Sequence, residues 1–180
     1  MNIEKELIEG CKKGNRQSFE SLYKQYAGRL LSIAMRYSFT TFEAEDILQD
    51  AFIKIFNSIK SYEYKGSFEG WLKRIVVTTA INQYHKDKNR QFQTDSSYTE
   101  EEDDDVVDII SKMSADELLT IIQTLPDGYR MVFNMYVIEG YTHKEIGELL
   151  SISEGTSKSQ LAKGRILLKS KLLQKGIITL

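Results

Sequence analysis

Apolar residues recur at intervals of three and four along most of the chain, and no convincing period-two run appears, so the pattern predicts an all-α protein. A helix beginning near Asn15 carries Phe19, Leu22, Tyr23, Tyr26, Leu30, Ile33, Ala34 and Tyr37 on one face. Thr40 and Glu43 have capping-box spacing ahead of a second helix, where Leu48, Ala51, Phe52, Ile55, Phe56 and Ile59 repeat the stripe. After the turn-prone segment 62–67, Phe68, Trp71, Leu72, Ile75 and Thr79 predict a third helix running to about Arg90. Ser114 and Glu117 cap a further helix with Leu118, Leu119, Ile121 and Ile122, which Pro126 ends, and Tyr129 to Ile138 form the next. Thr142 and Glu145 then cap a short helix whose buried face is read as Ile146, Leu149 and Leu150, and Ser151 to Ser153 supply a turn and the N-cap of a last helix from Glu154.

Between these two groups of helices the pattern fails. Residues 93–112 are polar, with no large apolar residue before Val106 apart from Tyr98, and read as a mobile linker between helical domains at 1–92 and 113–180. Charge sharpens this division. Eight acids (Asp95, Glu100, Glu101, Glu102, Asp103, Asp104, Asp105 and Asp108) and no base fall between positions 93 and 110, so removing them from the net charge of −2 leaves the remainder at +6. Cys11 is the single cysteine, which excludes an internal disulfide and a cysteine-rich zinc site. No apolar run reaches the roughly 18 residues of a membrane span, and the N-terminus lacks signal-peptide layout, so no membrane association and a cytoplasmic location are expected.

The last two helices have helix-turn-helix spacing. From Gly155 to Leu180 there is no Asp or Glu, whereas Lys158, Lys163, Arg165, Lys169, Lys171 and Lys175 are present, as suits a helix lying against phosphates. In the N-terminal domain, Glu45, Asp46, Gln49, Asp50 and Asn57 lie opposite the core stripe of the helix from Thr41 to Ser58, with Ile53 among them. That face is either a protein interface with an apolar centre or a solvated face with one stray isoleucine. From Lys73 to Arg90 the following helix carries Lys73, Arg74, Lys86, Lys88 and Arg90 against one acid, Asp87, with Tyr62 and Tyr64 in the preceding loop. Basic charge tracks a phosphate backbone and aromatic rings stack on unpaired bases, so this segment is a candidate single-strand interface; Trp71 is assigned to the core.

Four motifs, in order, carry a resemblance. Ala44-Glu-Asp-Ile-Leu-Gln-Asp-Ala-Phe52, Phe68-Glu-Gly-Trp-Leu-Lys-Arg-Ile75, Leu125-Pro-Asp-Gly-Tyr-Arg130, and Tyr141-Thr-His-Lys-Glu-Ile-Gly-Glu-Leu-Leu150 with Glu154-Gly-Thr156 resemble bacterial RNA polymerase sigma factors of the extracytoplasmic-function group, in the sigma-70 family. The resemblance implies two domains, similar to sigma regions 2 and 4, that bind core RNA polymerase at the clamp helices of its largest subunit and at its flap region. It also implies binding to promoter DNA. Asp46, Gln49, Asp50 and Ile53 then match the polymerase-binding surface; Tyr62, Tyr64, Arg74, Thr78, Lys86, Lys88 and Arg90 match the part that captures and melts the minus-ten element. Thr156, Lys158, Ser159, Gln160, Lys163 and Arg165 match the reader of the minus-thirty-five element, and the acidic linker resembles the connector threading toward the RNA exit path. Three positions depart from the common pattern: Thr78 replaces Asn, Ser157 replaces a packed Val, and Gln160 replaces Arg. No zinc-binding or other extra module is evident, which implies a separate anti-sigma factor and a monomeric protein without a cofactor.

Two other classes fit less of the sequence. An enzyme would need Glu100 to Asp105 as a metal site or Glu45, Asp46 and Asp50 as acid and base groups, but the acidic run lacks the alternating ligands and turn glycine of a calcium loop. His85 and His143 have no Cys or second His nearby and read as surface histidines. A conventional helix-turn-helix regulator would bind a palindrome as a dimer, without polymerase.

Overall fold

The computed structural model describes residues 3–88 and 113–176, and among these every regular element is helical. Contacts divide the chain into two compact units, Met1–Gln83 and Tyr84–Leu180. The proposed linker at 93–112, the helix end at Arg90 and the extreme C-terminus lie outside the described residues.

The first unit begins with a helix absent from the expected elements, α1 (Ile3–Lys12), which buries Ile8 and Cys11. In α2 (Arg16–Tyr37) the Asn15 side chain accepts from Ser18 N, and Leu22, Tyr26, Leu30, Ile33, Ala34 and Tyr37 form the buried stripe. Phe19 and Tyr23, expected on that stripe, lie at its margin. Tyr23 is 47% exposed. In α3 (Thr41–Ser58) Thr40 caps Glu43 N, but the Glu43 carboxylate accepts from Phe39 N at 2.8 Å rather than from Thr40 N, so the predicted capping box is displaced by one residue. α3 buries Ala44, Ile47, Leu48, Ala51, Phe52 and Ile55, and a single 3₁₀ turn (Ile59–Ser61) follows it. α4 (Phe68–Lys88) starts where Ser67 Oγ accepts from Gly70 N at 3.1 Å, and it buries Phe68, Leu72, Val76, Val77, Thr79, Ala80 and Ile81. An edge-on contact of Phe68 with Tyr26 and a 3.0 Å bond from Lys54 Nζ to Thr79 Oγ1 tie α4 to α2 and α3.

In the second unit, Ser114 and Glu117 form a complete capping box for α5 (Ala115–Ile122). α6 (Asp127–Phe133) continues into a π turn (Asn134–Ile138), where the periodicity predicts one unbroken helix. Arg130 is buried, donating from Nη1 to Leu125 O at 3.0 Å and pairing through Nη2 with Asp127. It thereby satisfies a carbonyl of the turn between α5 and α6 and holds the entry to α6, with the carboxylate reducing the cost of a buried cation. The helix-turn-helix follows as α7 (His143–Leu150) and α8 (Glu154–Gln174).

Burial pushes the Cys11 thiol up to about 11, well above its ordinary 9.0. A rise of that size leaves roughly one hundredth of the usual thiolate. Native protein at pH 8 is therefore expected to react with a thiol-specific disulfide reagent at least about 100-fold more slowly than unfolded protein, followed by absorbance.

Candidate functional site

Three surfaces carry the candidate residues, and each follows from how its helix buries the opposite side. On α3, Asp46, Gln49, Asp50 and Ile53 are all exposed, with Ile53 at 58%. Phe42, 71% exposed, stands on the first turn of the same helix. Next to this face the rings of Tyr23 and Phe52 lie 4.7 Å apart, as do those of Phe19 and Phe56. Phe19, Tyr23 and Phe56, with Arg16, Glu20 and Lys24, line a surface groove of about 300 Å³. Periodicity alone assigns Phe19, Tyr23 and Phe56 to the core. Their flanking charges, Arg16, Glu20 and Lys24, are the available signal that this edge of α2 meets solvent.

The second surface is the loop 62–67 with the outer face of α4. Tyr62 corrects an expectation: its ring is only 5% exposed, packed at 5.1 to 5.3 Å from Tyr64, Phe68 and Trp71, and its hydroxyl donates to Gly66 O. Apolar packing from three rings outweighs the polarity of one hydroxyl that has an acceptor of its own, so Tyr62 is a core residue and not a free stacking platform. Tyr64 is 42% exposed and adopts φ 59°, an uncommon conformation for a residue with a Cβ. It is held there from α1: its hydroxyl donates to Glu9 Oε1 at 2.6 Å, and Lys12 Nζ lies 4.4 Å from its ring centroid. Loss of water around the ring and the Glu9 carboxylate push the Tyr64 hydroxyl up to about 12. The same hydrogen bond, aided by Lys12, holds Glu9 below its ordinary 4.5. On α4, Arg74, Thr78, Asn82 and Lys86 recur every four residues and are exposed. Asn82 is absent from the sequence-based set, although the spacing from Arg74 and Thr78 points to it. The Thr78 hydroxyl donates back to Arg74 O at 2.8 Å. Arg90 and the side chain of Lys88 lie outside the described residues.

The third surface is the helix-turn-helix. Thr142 and Glu145 form a full capping box on α7, and Ser151 closes that helix at φ 55°. Gly147, not Leu149, completes its inner face with Ile146 and Leu150; Leu149 is exposed. A Cβ on Gly147 would meet Ile152 O at 2.9 Å, so the absence of a side chain lets the turn fold back on α7. Ser153 caps α8 through Thr156 N, and its hydroxyl lies 2.8 Å from that of Thr156. α8 buries Ser157, Leu161, Gly164, Leu168 and Leu172, which leaves Thr156, Ser159 and Lys163 together on the far side. Lys158 is exposed and pairs with Glu154 at 3.2 Å. Gln160 and Arg165 flank the buried stripe. The Gln160 amide turns toward α6, within 3.2 Å of the place a Cβ on Gly128 would occupy, and its Oε1 is buried without a hydrogen-bond partner. Arg165 is half-buried, with Nε enclosed. The expectation that Gln160 faces outward with Thr156, Lys158, Ser159 and Lys163 is corrected for this arrangement, because the absence of a side chain at Gly128 leaves room that Gln160 fills. Neither histidine is a freely exposed surface residue: His85 is half-buried, and the His143 ring stacks on Tyr136 at 4.3 Å between centroids. Among the described residues, no group of three or more His, Cys, Asp or Glu is placed to hold a metal, and no helix is long and apolar enough to cross a membrane.

The chain thus carries a helical unit that exposes Ile53 among the carboxylates of α3, followed by a helix-turn-helix whose second helix is rich in lysine and arginine. The Sigma-70 region 2 family matches residues 22–90 and the Sigma-70, region 4 family matches residues 115–168. The ECF RNA polymerase sigma factor SigW of Bacillus subtilis is 29% identical over 180 residues, covering 93% of this chain and 96% of that protein. The ECF RNA polymerase sigma-E factor of Escherichia coli K12 is 26% identical, covering 92% of each. SigE of Mycolicibacterium smegmatis is 30% identical over 82% of this chain, which spans 59% of the length of that relative. A solved chain of the sigma factor RpoE in complex with the anti-sigma factor NepR from Bartonella quintana is 18% identical, covers 87% of this chain and 98% of its own length, and has a TM-score of 0.46. The chain belongs to the extracytoplasmic-function group of the sigma-70 family.

The Tyr64 contact with α1 yields a direct test. Glu9 gains a donor in the folded state, so its lowered value means that the contact contributes above the ordinary 4.5 and is lost as pH falls through the lower folded value. Tyr64→Phe is expected to move the Glu9 carboxyl titration, followed by NMR, back up toward 4.5; an unmoved titration would show that the hydroxyl does not hold Glu9.

Proposed function

We propose that this chain is a promoter-specificity subunit that binds core RNA polymerase and directs it to its promoters, with region 2 and region 4 dividing the work. The observation that carries this is the order of the two family matches, region 2 ahead of region 4, over helices whose exposed faces suit the corresponding partners. Domain limits at 1–92 and 113–180, with an acidic connector at 93–112, are part of the same proposal.

In it, Asp46, Gln49, Asp50 and Ile53 meet the clamp helices of the largest polymerase subunit. An apolar side chain ringed by carboxylates and an amide gives a dry centre with a polar rim, and exposure of Ile53 supports that role. Tyr64, Arg74, Thr78 and Lys86, joined by Asn82, face the minus-ten element, with Lys88 and Arg90 extending the basic face by sequence. Tyr62 shapes the loop from within. The outward set on α8, Thr156, Lys158, Ser159 and Lys163, enters the major groove at the minus-thirty-five element. Gln160 and Arg165 take part there only after turning away from the helix-turn-helix core. Eight acids in the connector favour a polymerase channel that otherwise holds nucleic acid. The flap region, a separate anti-sigma factor, a monomeric free state, a cytoplasmic location and no catalytic activity complete the reading.

Ile53→Glu introduces a charge at the centre of the proposed interface without touching the α2–α3 core. Its affinity for core polymerase is expected to fall at least about 100-fold, since an unpaired charge buried at an interface costs several kcal/mol, while its far-ultraviolet circular dichroism is unchanged. Unaltered affinity in a labelled-protein titration would remove α3 from the interface.

A further inference from the structure

Ser157 is fully buried, at 0% exposure, one turn into α8, with its hydroxyl aimed at the first residue of α7. There His143 Nδ1 lies 2.9 Å from Ser157 Oγ. The other face of the same imidazole region is fixed by Tyr136 of the π turn, whose ring is nearly parallel to it at 17° and 4.3 Å away. One side chain therefore ties the π turn, the first helix of the helix-turn-helix and the second helix together. Ile146 and Leu150 of α7 and Leu161 of α8 are buried apolar side chains, and dispersion contacts tolerate small rotations of a helix about its axis. A hydrogen bond does not, because it weakens steeply with angle. Whichever atom supplies the proton, the link between Nδ1 and Oγ has the same direction.

Thr156 and Lys158 are the immediate neighbours of Ser157 along α8, and Ser159 is two residues away. Turning Ser157 away from His143 turns all three within the groove. Bidentate or short base contacts depend on such placement, whereas contacts to phosphate are more forgiving.

We propose that His143 is a positioning residue for promoter selectivity: through its hydrogen bond to Ser157 and its stack on Tyr136, it fixes the rotational setting of α8 and hence which bases of the upstream element are read. This rests on the reading of α8 as the groove-facing helix. It assigns selectivity to a side chain that need not touch DNA.

The test uses holoenzyme made from the full chain and core polymerase, transcribing a library with a fixed downstream element and a randomised upstream element. Five proteins beside the natural one are compared: His143→Phe, which keeps a ring for Tyr136 but loses Nδ1; Ser157→Val; both together; His143→Asn, which restores a polar atom near Nδ1; and Lys158→Ala. Each of the first two leaves a polar group without its partner and is expected to reduce the ratio of transcription between preferred and disfavoured upstream elements about tenfold. The double variant is expected to lose no more of that ratio than either single variant, as required of a coupled pair, and His143→Asn to recover most of it. Thermal melting of each variant separates loss of setting from loss of folding. An unchanged ratio in His143→Phe and Ser157→Val, alongside a reduced ratio in Lys158→Ala, overturns the positioning role. So does a uniform fall on every library member that tracks melting temperature. An unchanged ratio in Lys158→Ala as well as in the pair overturns the reading of α8 itself.

Discussion

Burial of one stripe on each helix is the constraint from which the positions of the functional side chains follow. In α3, Ala44, Ile47, Leu48, Ala51, Phe52 and Ile55 are committed to the core, and this leaves Asp46, Gln49, Asp50 and Ile53 no place but the outside. In α8 the buried set Ser157, Leu161, Gly164, Leu168 and Leu172 leaves Thr156, Ser159 and Lys163 facing away. Fully burying a Leu or Ile side chain contributes about 1.5–3 kcal/mol, more than exposed charges contribute to each other, so the apolar stripe sets the orientation and the charges are carried with it.

That is also why much of the molecule is legible in the sequence. Caps at Ser114, Thr142 and Ser153 are local features, and each forms as its spacing implies. What periodicity could not supply depends on residues distant in the chain. Tyr62 is buried because Phe68 and Trp71 fold over it, and Tyr64 is held because α1 brings Glu9 and Lys12 to it. Gln160 turns inward because Gly128 has no side chain, 32 positions earlier. α1 buries only two residues, although Ile3, Leu7, Ile8 and Cys11 do recur at helical spacing and could have announced it. The widened turn at Asn134–Ile138 has a helical pattern on both sides and leaves no mark in the spacing.

Charge is distributed by surface and not by chain. The acids of α3 face outward around Ile53, and the bases of α4 and α8 lie on other helices, so a chain of net −2 carries an acidic surface apart from its basic ones. Eight acids at 93–110 account for the overall sign. A subunit that must hold a polymerase and an open promoter together needs this separation, since mixing the signs on one face would weaken both contacts. The departures at Ser157 and Gln160 lie where α8 meets the rest of its unit, Ser157 against His143 and Gln160 against Gly128, and leave the basic character of the helix intact.

The central claim is that this chain acts as one copy on core polymerase and selects promoters only there. Native mass spectrometry of the full chain mixed with core polymerase and, separately, with promoter DNA tests it most directly. The account predicts a one-to-one complex with core polymerase, a monomer in its absence, and DNA retained specifically only when polymerase is present. A dimer that binds duplex DNA specifically by itself, with no polymerase complex, would contradict it.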